Sequence, residues 1–181
     1  METDLDLAAR ASKGDRRAFG ELVRRHQSTV RGMTRRLSGG HQANADDLSQ
    51  KAFLKAWMQI GTYSGGQFRS WLCTIAYREF LQARRKGKAQ KRIIDAAKVL
   101  SFGQYQAAIN GTGHDLDRAL ASLPHEQRIA IILCVSAGMS HGEAAIATGW
   151  PLGTVKSHVA RGKTTLQASL SDYDVAQEDY S

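Results

Sequence analysis

Two prolines in 181 residues leave few places where a helix is forced to stop, and little clustering of β-branched residues argues against sheets. Cysteine is equally scarce. Cys73 and Cys134 lie far apart and outside any C-x-x-C or Cys/His spacing, which excludes a zinc site of that kind and leaves free thiols in a reducing compartment. No apolar run approaches the roughly 20 residues that a membrane span needs. The acidic start, M-E-T-D-L-D-L, lacks the apolar stretch of a signal peptide, so a soluble cytoplasmic protein is expected.

Catalytic constellations are missing too. The histidines, His26, His41, His114, His125, His141 and His158, are scattered. There is no G-x-S-x-G or phosphate-binding loop, and no carboxylate pair falls on one face beside a histidine. No enzyme, cofactor, metal or small-molecule substrate is expected. What the chain has in excess is positive charge: 25 Lys and Arg against 17 Asp and Glu, a formal net charge of +8. That balance favours a polyanionic partner, because cations that neutralise phosphates release counterions. Charge alone does not separate nucleic acid from an anionic membrane.

The charge is uneven along the chain. Arg69, Arg78, Arg84, Arg85, Lys86, Lys88, Lys91 and Arg92 cluster around a single acid, Glu79, whereas 171–181 holds Asp172, Asp174, Glu178 and Asp179 with no base. Between them, 87–114 loses periodicity and ends in the turn-rich N-G-T-G, which reads as a flexible linker with at most a helical turn near Ile93 to Leu100. The acidic tail reads as a disordered solubilising segment, with shielding of basic residues as the alternative.

Hydrophobic periodicity places three helices before the linker. Asp15 can cap one whose stripe is Phe19, Leu22, Val23, His26, Val30, Met33 and Leu37, ended by Gly39 and Gly40. A second, from about Ala45 to Ile60, carries Leu48, Ala52, Phe53, Ala56, Trp57 and Ile60, with Asp46 and Asp47 expected in its first turn. A third runs from about Phe68 to Lys86, with Trp71, Leu72, Ile75, Ala76 and Leu81 inward. After the linker come Asp115 to Ser122, Pro124 to Ala137, a helix opened by a Ser140/Glu143 capping box and broken at Gly149, and a last helix from about Leu152 to Leu170. The expected fold is all-α: a three-to-four-helix bundle (1–86), the linker (87–114), a four-helix domain (115–170) and the tail (171–181).

The last two helices outline a helix-turn-helix, in which the second enters the major groove. Its candidates are Thr154, Lys156, Ser157, His158, Ala160, Arg161 and Lys163, with Val155, Val159 and Leu166 locking it down. Short donors beside long cations suit combined base and phosphate contact. A solvated basic face on a structural helix is the plainer alternative.

These residues also carry a resemblance. L-x-x-A-L-x-x-L-P-x-x-x-R from Leu116, G-M-S-x-x-E-A-A from Gly138 and G-T-V-K-S-H-V-x-R-G-K from Gly153 resemble region 4 of bacterial RNA polymerase sigma factors. G-D-x-x-A-F-x-x-L from Gly14, D-D-L-S-Q-x-A-F-L-K-A-W from Asp46 and F-R-S-W-L-C-T-I-A from Phe68 resemble region 2 of the extracytoplasmic-function group. The resemblance implies a promoter-recognition subunit that binds the β′ clamp helices and β flap of core polymerase, grips promoter DNA at two elements and is held by an anti-sigma factor. It assigns Asp46, Asp47, Leu48, Gln50 and Lys51 to the polymerase face, Lys51 standing where the family mostly has an acid. Tyr63, Arg69, Arg78, Arg84 and Arg85 fall to the minus-10 element. Arg78 and Gln82 depart from the family's usual Asn and Asp. The minus-35 element falls to the recognition-helix set, with departures at His158 and Ala160. A sigma mimic that occupies an anti-sigma factor without binding DNA is the alternative, as is a plain helix-turn-helix regulator.

Overall fold

The computed structural model describes residues 2–97 and 114–178, all helix and connecting turn. The order is α1 (Asp4–Ala11), α2 (Arg16–Leu37), α3 (Gln42–Gln59), a 3-10 turn (Ile60–Thr62) and α4 (Phe68–Ala97). Then come α5 (His114–Ser122), α6 (His125–Ile131) running into a π turn (Ile132–Ser136), α7 (His141–Thr148) and α8 (Leu152–Glu178).

Local chemistry explains the helix starts. The Asp15 carboxylate accepts the Arg17 and Ala18 N–H groups at the head of α2. It is itself gripped by Arg10 at 2.7 Å, and these donors hold it below the usual carboxylate range. Sequence periodicity alone misses α1, a helix of only eight residues. It forms because Thr3 and Asp6 make a reciprocal capping box and because Leu7, Ala8 and Ala11 are buried against α2. Asp4 adds an ion pair to Arg25 at 3.0 Å and a hydrogen bond with the His26 ring at 2.7 Å.

Three expectations change. Helix α3 begins at Gln42, so Asp46 and Asp47 lie in its second turn and interact little with the helix dipole. Helix α4 does not end near Lys86 but runs to Ala97, because a helix tolerates one interior glycine, Gly87, at about 1 kcal/mol. Residues 98–113, most of the expected linker, lie outside the described residues. Likewise α8 continues to Glu178, so the acidic tail is helical up to there rather than disordered. Residues 179–181 lie outside the description.

Helices α2, α3 and α4 pack around Leu22, Val30, Met33, Ala52, Ala56 and Leu72. Each large side chain among them contributes about 1.5–3 kcal/mol by leaving water. A buried hydroxyl pair, Thr34 to Ser49 at 2.8 Å, bridges α2 and α3, both oxygens also reaching the Ala45 carbonyl. In the second half the π turn inserts one residue, Ala137 N–H reaching Ile132 O at 2.9 Å, and Met139 N–H closes the helix end on Leu133 O at 3.1 Å across the left-handed Gly138. Ile132 and Leu133 are thereby fully buried, and the apolar core runs continuously from the first half into the second. The π turn lies on α2 and α7 lies on α4.

Two glycines give opposite predictions. A Cβ on Gly162 of α8 would lie 2.7 Å from Ile131 Cγ1, a side chain 3% exposed and unable to yield. Gly162→Ala is expected to lower the melting temperature, overpacking of about 1–3 kcal/mol outweighing about 1 kcal/mol of helix propensity. Gly20, with nothing within 4 Å of a Cβ, has room. Gly20→Ala is expected to stabilise by about 0.5–1 kcal/mol, and thermal circular dichroism of the two variants checks both signs.

Candidate nucleic-acid and polymerase interface

The helix-turn-helix is built by its caps. Ser140 Oγ accepts the Glu143 N–H at 3.2 Å while Glu143 accepts the Ser140 N–H at 2.7 Å. Gly149, at φ +76, takes the left-handed conformation that ends α7, and the Pro151 carbonyl receives the Thr154 and Val155 N–H groups to start α8. Val155 and Val159 are buried, so the opposite face of α8 is presented outward. At 100° per residue that face carries Lys156, Ser157, Ala160 and Arg161, with Thr154 and Lys163 at its two edges. Lys156, Ala160, Arg161 and Lys163 are exposed, Thr154 and Ser157 half-buried. His158 is drawn aside, its ring 5.3 Å from that of Trp150.

The second face lies where the Gly61 to Gln67 loop meets α4. A cavity of about 350 Å³ there is lined by Thr62, Gly65, Gly66, Gln67, Trp71, Thr74 and Arg78, and also by Glu143 and Ile146 of α7. Tyr63 does not line it. Its hydroxyl donates to the Gly66 carbonyl at 2.7 Å, and its ring packs edge-on against Phe68 at 5.2 Å and near Trp71 at 5.5 Å. Burial, and secondarily the Asp4 charge, raises the Tyr63 hydroxyl pKa. Tyr63 therefore shapes the loop, and the aromatic wall of the cavity is Trp71, whose helical spacing predicts a core position.

The structure divides the four α4 arginines. Helical spacing sets Arg78 and Arg85 on the side of Trp71, and both are exposed. Arg69 and Arg84 lie on the opposite side. Arg69 donates to the Gly138 carbonyl at 2.8 Å, and Arg84 meets His125.

The third face is a groove of about 740 Å³ between α2 and α3, floored by Phe19, Val23, Phe53 and Trp57 and rimmed by Arg31, Asp46, Asp47 and Gln50. Phe19 and Trp57 meet edge to face at 5.1 Å. Of the residues assigned to this face, Leu48 does not reach it: it is 4% exposed and holds α3 against the core. Lys51 does reach the surface, and its ammonium sits 2.6 Å from the Asp47 carboxylate one turn earlier. Asp46 is held by Gln42 at 3.1 Å and Arg31 at 3.5 Å. Leu54 and Met58, exposed at 60% and 82%, continue the apolar surface along α3. Neither belongs to the buried stripe of α3, because both fall between the core and the charged positions.

Both cysteines are free thiols, and burial pushes Cys73 up to about 12 and raises Cys134. Among the described residues, no group of three or more His, Cys, Asp or Glu is placed to hold a metal, and no helix is long and apolar enough to cross a membrane.

Comparison with known proteins gives this geometry a family. Residues 22–90 match the Sigma-70 region 2 family and residues 113–166 the Sigma-70 region 4 family. The chain is 35% identical over 162 residues to the ECF RNA polymerase sigma factor SigE of Mycolicibacterium smegmatis, covering 86% of this chain and 63% of that one. It is 31% identical to the RNA polymerase sigma factor NccH of Alcaligenes xylosoxydans xylosoxydans, over 95% of this chain and 97% of the relative. Two solved structures share the fold at a TM-score of 0.68. One is CnrH in complex with the cytosolic domain of CnrY (26% identity, 94% of this chain, 99% of that one). The other is the sigma factor RpoE in complex with the anti-sigma factor NepR from Bartonella quintana (30%, 84% and 96%). The chain belongs to the extracytoplasmic-function group of the sigma-70 family of RNA polymerase sigma factors.

Proposed function

We propose that this chain is a cytoplasmic promoter-recognition subunit that docks on core RNA polymerase, anchors the minus-35 element through α8 and captures a minus-10 base beside Trp71. Residues 1–86 form the polymerase and minus-10 domain, and 115–170 the minus-35 domain. The observation that carries the reading is the presence of two separate DNA-suited faces on one chain: an outward recognition-helix face, and a cavity with an aromatic wall and a cation. A flipped base gains stacking on Trp71 while Arg78 and Arg85 follow the released strand. The polymerase performs the covalent chemistry.

The α2–α3 groove with Asp46, Asp47 and Gln50 is the docking face for the β′ clamp helices, and Lys51 tempers its charge. The β flap takes the second domain. One of the similar solved proteins is bound to an anti-sigma factor, and the same class of regulator is assigned to this chain.

Core polymerase reconstituted with the protein is expected to initiate at a promoter with separated minus-35 and minus-10 elements. No stable complex with core would overturn the reading in favour of a mimic that occupies an anti-sigma factor. Arg161→Ala is expected to weaken minus-35 duplex binding and to reduce the slope of log affinity against log salt by about one, the loss of one phosphate contact. An unchanged slope in a salt titration would assign Arg161 to base reading instead.

A further inference from the structure

Behind the aromatic wall of the Trp71 cavity stands a polar ring that no DNA contact explains. His26 lies on the apolar stripe of α2 with its side chain 12% exposed, and its Nε2 meets the Asp4 carboxylate at 2.7 Å. A carboxylate only accepts, so Nε2 carries the proton and the ring is held in one orientation. The His26 ring in turn lies 5.3 Å from that of Phe68, the first residue of α4, which is 3% exposed. Phe68 packs against Tyr63 at 5.2 Å and against Trp71 at 5.4 Å, and those two rings lie 5.5 Å apart. An unbroken series of contacts therefore runs from Asp4 to Trp71, one hydrogen bond followed by ring on ring.

Helix α1 supplies the carboxylate and also supports the loop. It lies on the 3-10 turn Ile60–Thr62, from which the Gly61 to Gln67 loop departs, and the Asp4 charge helps to raise the Tyr63 hydroxyl pKa. Asp4 is fixed independently of His26. Arg25 pairs with it at 3.0 Å while also donating to the Glu2 carbonyl and the Glu21 carboxylate. The Thr3/Asp6 box and the buried Leu7, Ala8 and Ala11 hold the backbone beneath it. A stacking platform gains from being fixed before its ligand arrives, because a ring ordered only on binding loses part of the stacking energy to its own rotamer freedom. Trp71 is half-buried, and Phe68 and Tyr63 are the rings that restrain it.

We propose that His26, oriented by Asp4 of α1, is a positioning residue for promoter opening: it backs Phe68 and so holds Trp71 and the Gly61 to Gln67 loop in the arrangement that accepts a minus-10 base. The proposal rests on the strand reading of the Trp71 cavity. His26 itself touches no DNA, and α1 acts through it.

The test uses the full chain labelled with fluorotryptophan. Its three tryptophans, Trp57, Trp71 and Trp150, give separate fluorine resonances, that of Trp71 being the one lost in Trp71→Phe. Promoter opening with core polymerase is read on the same variants by permanganate. Asp4→Ala removes the acceptor yet leaves Arg25 its Glu21 partner and the Thr3 cap intact. His26→Gln keeps a donor for Asp4 but takes the ring away from Phe68. Both are expected to shift or broaden the Trp71 resonance, with that of Trp150 in place, and to reduce opening roughly three- to tenfold, the scale of losing the preorganisation of one side chain. Association with core should not change. Asp4→Asn, which still accepts from the His26 ring, should keep both readouts near wild type. In a Trp71→Ala background Asp4→Ala should add nothing, since the ring it orders is gone. A Trp71 resonance unmoved in both Asp4→Ala and His26→Gln overturns the proposal, as does a moved resonance with normal opening. Equal impairment of Asp4→Asn and Asp4→Ala overturns the role of the His26 hydrogen bond, and full additivity with Trp71→Ala overturns action through that ring. Failure of the strand reading shows separately in the same assay, as normal opening in Trp71→Ala alone.

Discussion

Val155→Asp is expected to abolish duplex promoter binding by the second domain while the first bundle stays folded. Val155 is fully buried and, with Val159 at 5% exposure, presses α8 onto the rest of its domain. An ionised carboxylate there has no partner and costs several kcal/mol. A helical domain of this size has roughly 5 kcal/mol to lose. The bundle built on Leu22, Val30, Met33 and Leu72 is untouched by the substitution. Hydrogen exchange should show loss of protection in α8 with protection kept in α2 and α3, and gel mobility should show no minus-35 complex. Wild-type binding by this variant would mean that α8 is not held through Val155 at all.

Trp71→Ala is expected to reduce promoter opening about 10- to 100-fold, read as permanganate reactivity of unpaired thymines, with association to core polymerase unchanged. The magnitude follows from the loss of one base stack, about 1–3 kcal/mol. Trp71 is half-buried, so its removal leaves the core largely intact. Tyr63→Phe, which removes only the hydrogen bond to Gly66, should cost about 1 kcal/mol or less in opening. The converse, normal opening in Trp71→Ala and failure in Tyr63→Phe, would move the base contact to Tyr63.

Much of the fold was legible because its signals are local. Asp15, the Ser140/Glu143 box and Gly149 each satisfy or release backbone groups within a few residues, so spacing alone locates them. Helix α1 was missed because its Thr3/Asp6 box encloses only eight residues, too few for a stripe. The π turn was invisible for a different reason: Pro124 to Ala137 reads as one helix, and an inserted residue leaves no compositional trace. In the candidate site, the recognition-helix face follows directly from the spacing of Val155 and Val159. The α4 arginines do not, since a run of basic residues names no side, and their division depends on what covers Cys73 and Tyr77. The Lys51–Asp47 pair was legible in principle from its four-residue spacing, whereas the burial of Leu48 required knowing how α3 lies on α2.

That pair bears on the electrostatics of the docking face proposed above. With Asp47 held by Lys51 and Asp46 between Gln42 and Arg31, the rim of the α2–α3 groove projects little negative potential into solvent. Long-range attraction across a Debye length is what accelerates diffusional encounter, and it is what salt suppresses. Under the proposed docking at this groove, arrival is expected to vary little with ionic strength, and the lifetime of the complex is expected to follow the aromatic floor of Phe19, Phe53 and Trp57.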